Sequence, residues 1–205
     1  MVIYLHGFAS SSHSGKATYL GGRLRARGLE VEIPDLNLPD FSTLTVTRMI
    51  DQVSALLEQG GAPATVIGSS LGAFVAVNLA AKRPELVKDL VLLAPALDLR
   101  DLGGDQLDAW RRSGRLHVFH YGYGRLLSVH YELYEDALRY DTMNADVPMP
   151  TLVFQGRRDV VVNPGTVQAW CDRRPNAELH LLDDDHQLAA SLPHIWEKLQ
   201  TFMDG

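Results

Sequence analysis

The chain has 205 residues, 46% of them hydrophobic and 21% charged, the make-up of an ordinary globular protein that can bury a full core without a metal or disulfide. Nineteen Lys and Arg against 25 Asp and Glu leave a formal charge of −6, which disfavours nucleic acid or an anionic membrane as a partner through bulk charge. Cys171 is the single cysteine, so no disulfide forms within the chain, and no apolar run reaches the roughly 18 residues of a membrane span.

The opening Met1-Val2-Ile3-Tyr4-Leu5 has no basic lead and no cleavage site. It reads as a first strand, Val2–Leu5, of a cytoplasmic protein. The loop Leu5-His6-Gly7-Phe8-Ala9 follows. Residues 10–17, with Gly15-Lys16, approach the phosphate-loop pattern but fail it twice, at Ser10 for the first glycine and at Ala17 for the hydroxyl. Further strands are expected at residues 31–33, 65–67, 90–93, 151–154 and 178–182. They are short, rich in Val, Ile and Leu, and mostly lack alternation, as when both faces of a sheet are covered.

Helices fill the gaps. Val46, Met49, Ile50, Val53, Leu56 and Leu57 share one helical face, and Gly60-Gly61 ends it. A second helix, Leu71–Lys82, stops before Pro84. A third carries Leu192, Ile195, Trp196, Leu199, Phe202 and Met203, with Ser191 as cap and Pro193 in its first turn. This alternation predicts an α/β fold: about six mostly parallel strands with helices on both faces, in one domain over residues 1–205. Residues 98–147 interrupt the rhythm and are too long for a simple connection. They are expected to form a small cap or lid, with Trp110, Phe119, Tyr121 and Tyr123 lining an acyl pocket. The plainer alternative is that these aromatics only pack the insert onto the body.

Gly68-Ser69-Ser70-Leu71-Gly72 matches G-x-S-x-G between a strand and an apolar helix. The sharp turn that this context implies would lift the Ser70 hydroxyl clear of the sheet. It would also place Ser70 at a helix N-terminus, with the Leu71 N–H facing a developing oxyanion. Phe8, in the loop after the first strand, is the second candidate oxyanion donor. Among eight histidines, position selects His186, after the last strand and late in the chain; His180 lies within a strand and His194 on the final helix. Asp159, following the strand before it, is the candidate to orient the imidazole, with Asp98 as the fallback. His6 reads as a structural hydrogen-bonding residue and Cys171 as packing. Asp183, Asp184 and Asp185 read as caps of the loop that carries His186 rather than as metal ligands.

With these residues, the chain resembles the α/β-hydrolase superfamily over nearly its whole length. The marks are the His6-Gly7-Phe8 turn, the Ser70 elbow, Pro84-Glu85-Leu86-Val87, residues 156–159 and Asp185-His186. Its small size and the opening His6-Gly7-Phe8-Ala9-Ser10-Ser11, with Lys16-Ala17 further on, are similar to the YqiA-like bacterial esterases. The resemblance implies an α/β-hydrolase fold, and the chain is expected to depart from the common pattern by starting directly at the strand that leads to His6, without the early antiparallel strands, which leaves a minimal sheet of about six strands. It also implies a Ser70–Asp159–His186 triad, a small-molecule acyl ester or thioester as substrate, and no cofactor or metal. Acyl thioesterase or acyltransferase is the alternative within the superfamily, and a catalytically silent binding domain is the alternative outside it. Dehalogenase chemistry is disfavoured, because the elbow carries serine where that reaction needs a carboxylate. Acyl length and oligomeric state are left open.

Overall fold

The computed structural model describes residues 1–99 and 104–204. Strands β1 (Val2–Leu5), β2 (Val31–Glu32), β3 (Ala64–Ser69) and β4 (Val87–Leu93) come first, followed after the insert by β7 (Thr151–Gly156) and β8 (Ala177–Leu182). They form one six-stranded sheet in the order β2-β1-β3-β4-β7-β8, every pair parallel.

Alternation along the strands divides the core into two layers. Ile3, Leu5, Leu90, Leu92 and Val153 face a cluster completed by α2 (Val46–Gly60), α3 (Leu71–Lys82) and α6 (Pro164–Cys171). Val2, Tyr4, Val91, Leu93, Leu152 and Phe154 face the other, completed by α1 (Gly15–Ala26) and α7 (Leu192–Asp204). The residues weighed as a phosphate loop instead lead into α1. Ser14 caps it by accepting the Ala17 N–H at 3.4 Å, and Ala17, Leu20 and Leu24 are buried. Among the described residues no helix is long and apolar enough to cross a membrane.

The insert folds as α4 (Asp105–Ser113), a two-stranded antiparallel sheet of β5 (Arg115–His120) and β6 (Arg125–His130), and α5 (Glu132–Ala137). The hairpin is absent from the sequence-based expectation. Its tip docks on the loops after β1 and β2: Tyr121 N–H donates to Ala9 O at 2.8 Å, and the Tyr123 hydroxyl donates to Asp35 at 2.7 Å. A Cβ at Gly122 would lie 2.5 Å from that of Ser11, so the approach requires glycine there. Trp110 anchors the other end, with its indole N–H on Val129 O at 3.2 Å and its ring edge-on to Tyr131.

Candidate active site

β3 ends in the Ser70 turn. Ser70 has φ 53° and ψ −117°, a region that costs a non-glycine residue about 1–3 kcal/mol. The surroundings hold it there. Its N–H donates to Leu93 O at 3.0 Å, and its carbonyl accepts the N–H groups of Ala73 and Ala96. Close packing fixes the flanks. A Cβ on Gly72 would collide with the Leu5 carbonyl, and one on Gly68 would lie 2.5 Å from Ala73 Cα. The His6-Gly7-Phe8 turn runs against the elbow, since a Cβ on Gly7 would sit 3.2 Å from Ser70 Cβ. Among the described residues the N–H groups of Phe8 and Leu71 have no backbone acceptor, so both are available to an oxyanion.

β7 and β8 deliver the other two groups to the same sheet edge. His186 Nε2 lies 3.1 Å from Ser70 Oγ, and His186 Nδ1 lies 2.8 Å from Asp159 Oδ2. An ionised carboxylate only accepts hydrogen bonds. Nδ1 therefore carries the proton, and Nε2 accepts from the serine hydroxyl. Asp159 is buried. Burial alone would raise its carboxyl pKa, but hydrogen bonds from His186, the Val162 N–H, Gln155 and the Val161 N–H outweigh it and hold the pKa below its ordinary value. The loop bearing His186 is shaped by Asp184, whose carboxylate accepts the Asp185 and Ser191 N–H groups at 2.8 and 2.9 Å. A Cβ on Gly156 would lie 2.5 Å from Asp184 O, so this loop packs directly on the end of β7.

The fallback Asp98 lines a cavity of about 610 Å3 that reaches Ser70, and the carboxylate on His186 Nδ1 is that of Asp159. His6 is buried; its Nδ1–H donates to Gly7 O at 2.9 Å and its Nε2 accepts the Leu36 N–H at 3.0 Å, so it braces the turn. His180 stacks on Phe154 and bonds Glu178. Asp183 pairs with Arg158 at 2.6 Å. Among the described residues no three His, Cys, Asp or Glu side chains gather as a metal site.

Of the four aromatics expected on the acyl pocket, Trp110 lines the 610 Å3 cavity and the other three do not. Phe119 is 48% exposed, outside that cavity. Tyr123 is committed to Asp35 and stacks on His120 at 4.1 Å. Tyr121 is 80% exposed and borders a separate cavity that also reaches Ser70. The hairpin tip accounts for Tyr123, whose hydroxyl is committed to docking on Asp35. The expectation overlooked Leu133, Tyr134, Val160 and Val161 as wall residues, and Gln155 as a second support of Asp159. Val160 and Val161 carried a signal: a run of valines stands directly after the acid, where a turn would ordinarily be polar.

The sheet order, the strained serine elbow and the histidine loop together define the class of α/β hydrolases. Within it, the chain belongs to the uncharacterised protein family UPF0227, whose family model matches residues 1–203. Among solved structures it is similar to Est1E from Butyrivibrio proteoclasticus with ferulic acid bound, with a TM-score of 0.84 at 19% identity over 98% of this chain and 87% of that one. It is also similar to mouse alpha/beta hydrolase domain-containing protein 10, with a TM-score of 0.83 at 20% identity over 99% and 89%. Those identities speak to the fold alone. A curated relative, lipase LipV of Mycobacterium tuberculosis, is 40% identical over 76 residues, which is 35% of this chain; the match spans 29% of the lipase's length.

Proposed function

We propose that this protein is a serine hydrolase that cleaves carboxylic acyl esters through an acyl-enzyme. The observation that carries the reading is the continuous chain from Ser70 Oγ through His186 to the buried Asp159, at 3.1 and 2.8 Å. His186 removes the hydroxyl proton as Ser70 Oγ attacks the acyl carbonyl carbon. The oxyanion forms against the Phe8 and Leu71 N–H groups. The intermediate collapses, the C–O bond to the alcohol breaks, and the alcohol leaves with the proton from His186. Water then attacks the acyl-enzyme, giving its proton to His186, and the acid departs as Ser70 regains a proton. Asp159 stays ionised throughout and steadies the imidazolium. The names of the LipV and Est1E relatives agree with ester chemistry. Segment 98–147 serves as the cap, with Trp110 on the acyl wall.

The test is hydrolysis of a 4-nitrophenyl ester series by wild type and Ser70→Ala. The reading expects turnover by wild type and a loss of about 10⁴-fold or more in the variant. Equal activity in the two would overturn it.

A further inference from the structure

Two cavities meet at Ser70, and they differ in chemistry. The one of about 610 Å3 is walled by Leu97, Leu107, Trp110, Leu133, Tyr134 and Val162. The other, of about 660 Å3, is lined by Ser10, Ser11, His13, Lys16, His186 and Gln187. Of the two, the polar one is bordered by His186. If His186 is the acid that protonates the leaving oxygen, as proposed above, the leaving group must lie where the imidazole faces it. The acyl chain then fills the apolar cavity and the leaving group fills the polar one.

The polar cavity holds an incompletely used cation. Lys16 Nζ is half-buried and donates to His186 O at 3.1 Å, leaving two N–H donors. Asp159, Asp184 and Asp185 act on it through space, and among the described residues none of them forms an ion pair with it within 4 Å. A desolvated ammonium without a direct counter-ion is costly. Burial lowers its pKa to about 8, so it remains mostly charged at neutral pH. Gly15, in the first turn of α1, borders the same space, and the partial positive charge of that helix end adds to the field.

We propose that the polar cavity binds an anionic leaving group, carboxylate- or phosphate-bearing, through the Lys16 ammonium; this rests on the Ser70–His186 reading. The leaving group meets His186 at its oxygen and Lys16 at its anion, so Lys16 selects among substrates without taking part in bond making.

The experiment compares matched substrates with one acyl chain. The first pair is 4-nitrophenyl hexanoate and its 3-carboxylate analogue; the second is monohexanoylglycerol and its glycerol phosphate counterpart. The readout is the ratio of kcat/KM, anionic over neutral. Wild type should favour the anionic member of at least one pair by about tenfold or more, and the pair that does so distinguishes carboxylate from phosphate. Lys16→Met should bring that ratio close to one, and Lys16→Arg should keep it. A wild-type ratio near one in both pairs, or a preference that survives in Lys16→Met, overturns the proposal. If Lys16→Met fails to fold, the two pairs on wild type, with Lys16→Gln in place of the methionine variant, decide. Lys16 is faced by Asp159, Asp184, Asp185 and His186, and His13 lines the same cavity. As pH rises through about 8 the ammonium is lost and the ratio should fall; a ratio unchanged up to about pH 9.5 overturns the assignment. If neither ester is cleaved but a phosphonate labels Ser70, the leaving-group assignment alone is overturned. If neither is cleaved and Ser70 stays unlabelled, the hydrolase reading fails, and this assignment with it.

Discussion

Strands β3 and β5 are each six residues long and are built by opposite rules. All six residues of β3 are buried, pressed between helices on both faces, and the strand is paired with β1 and β4. β5 alternates exposed and half-buried residues up to the buried His120 and, among the described residues, pairs only with its hairpin partner β6. A strand held on both faces and both edges cannot shift without disturbing two core layers, so the residue that follows it is fixed in space. The hairpin is held through one face and a few anchors, Trp110, Tyr123 and the Tyr121 N–H. Ser70 and Asp159 follow strands of the first kind, β3 and β7, whereas His186 follows β8, a partly exposed edge strand paired only with β7; the hairpin docks by its tip on the loops after β1 and β2.

Substitutions should separate these roles. The largest effect is expected at the sheet edge. His186→Ala should lower kcat about as far as Ser70→Ala, by roughly 10⁴–10⁶-fold, since the two act as a unit. Asp159→Asn should cost about 10³–10⁴-fold, because the imidazole loses its enforced tautomer. Both variants should keep the wild-type far-UV circular dichroism. Asp98→Asn proving more damaging than Asp159→Asn would move the acid to the end of β4. Hydrogen bonds hold the Asp159 carboxyl pKa below its ordinary value, so it should keep its charge, and its hold on the imidazole, down to about pH 5.

The insert should respond in the opposite sense. Trp110 is 8% exposed, hydrogen-bonded and on the wall of the apolar cavity at Ser70. Trp110→Ala should lower stability by roughly 3–5 kcal/mol in urea melts and shift the preferred acyl length. Tyr121→Ala, at 80% exposure, should stay within about 0.5 kcal/mol of wild type. Equal losses for the two would show that the hairpin is packed as tightly as the sheet.

The smallest effect concerns strain. At φ 53° Ser70 pays a backbone cost that glycine avoids. Ser70→Gly should therefore be more stable than Ser70→Ala by about 1 kcal/mol, read as a higher melting temperature. Equal stability would mean that the elbow carries no strain.

The contrast between the two regions also explains what could be read from the residues. The doubly covered strands show as apolar runs, and a Gly-x-Ser-x-Gly turn leaves a local spacing that needs no partner to be seen. Ser70, Asp159 and His186 could be named because strand order places the loops after β3, β7 and β8 at one edge. The hairpin was harder. Leu116, Val118 and their polar neighbours do alternate, but the segment is short, rich in arginine and histidine, and paired only with itself. The positions of Tyr121 and Tyr123 are not legible for a related reason: composition shows that aromatics are present, whereas where they sit depends on how the tip seats against Ala9 and Asp35. Lys16 shows in the sequence as part of a failed phosphate pattern and of the family resemblance, not as a cation beside His186, since that neighbour comes from a loop 170 residues away.

The most direct test of the central claim is covalent trapping. A fluorophosphonate should modify wild-type protein at one site, with the adduct mapped by peptide mass spectrometry to Ser70, and His186→Ala should suppress the reaction because the hydroxyl has lost its base. An adduct at Ser69, or labelling of Ser70 that proceeds equally fast without His186, would contradict the account.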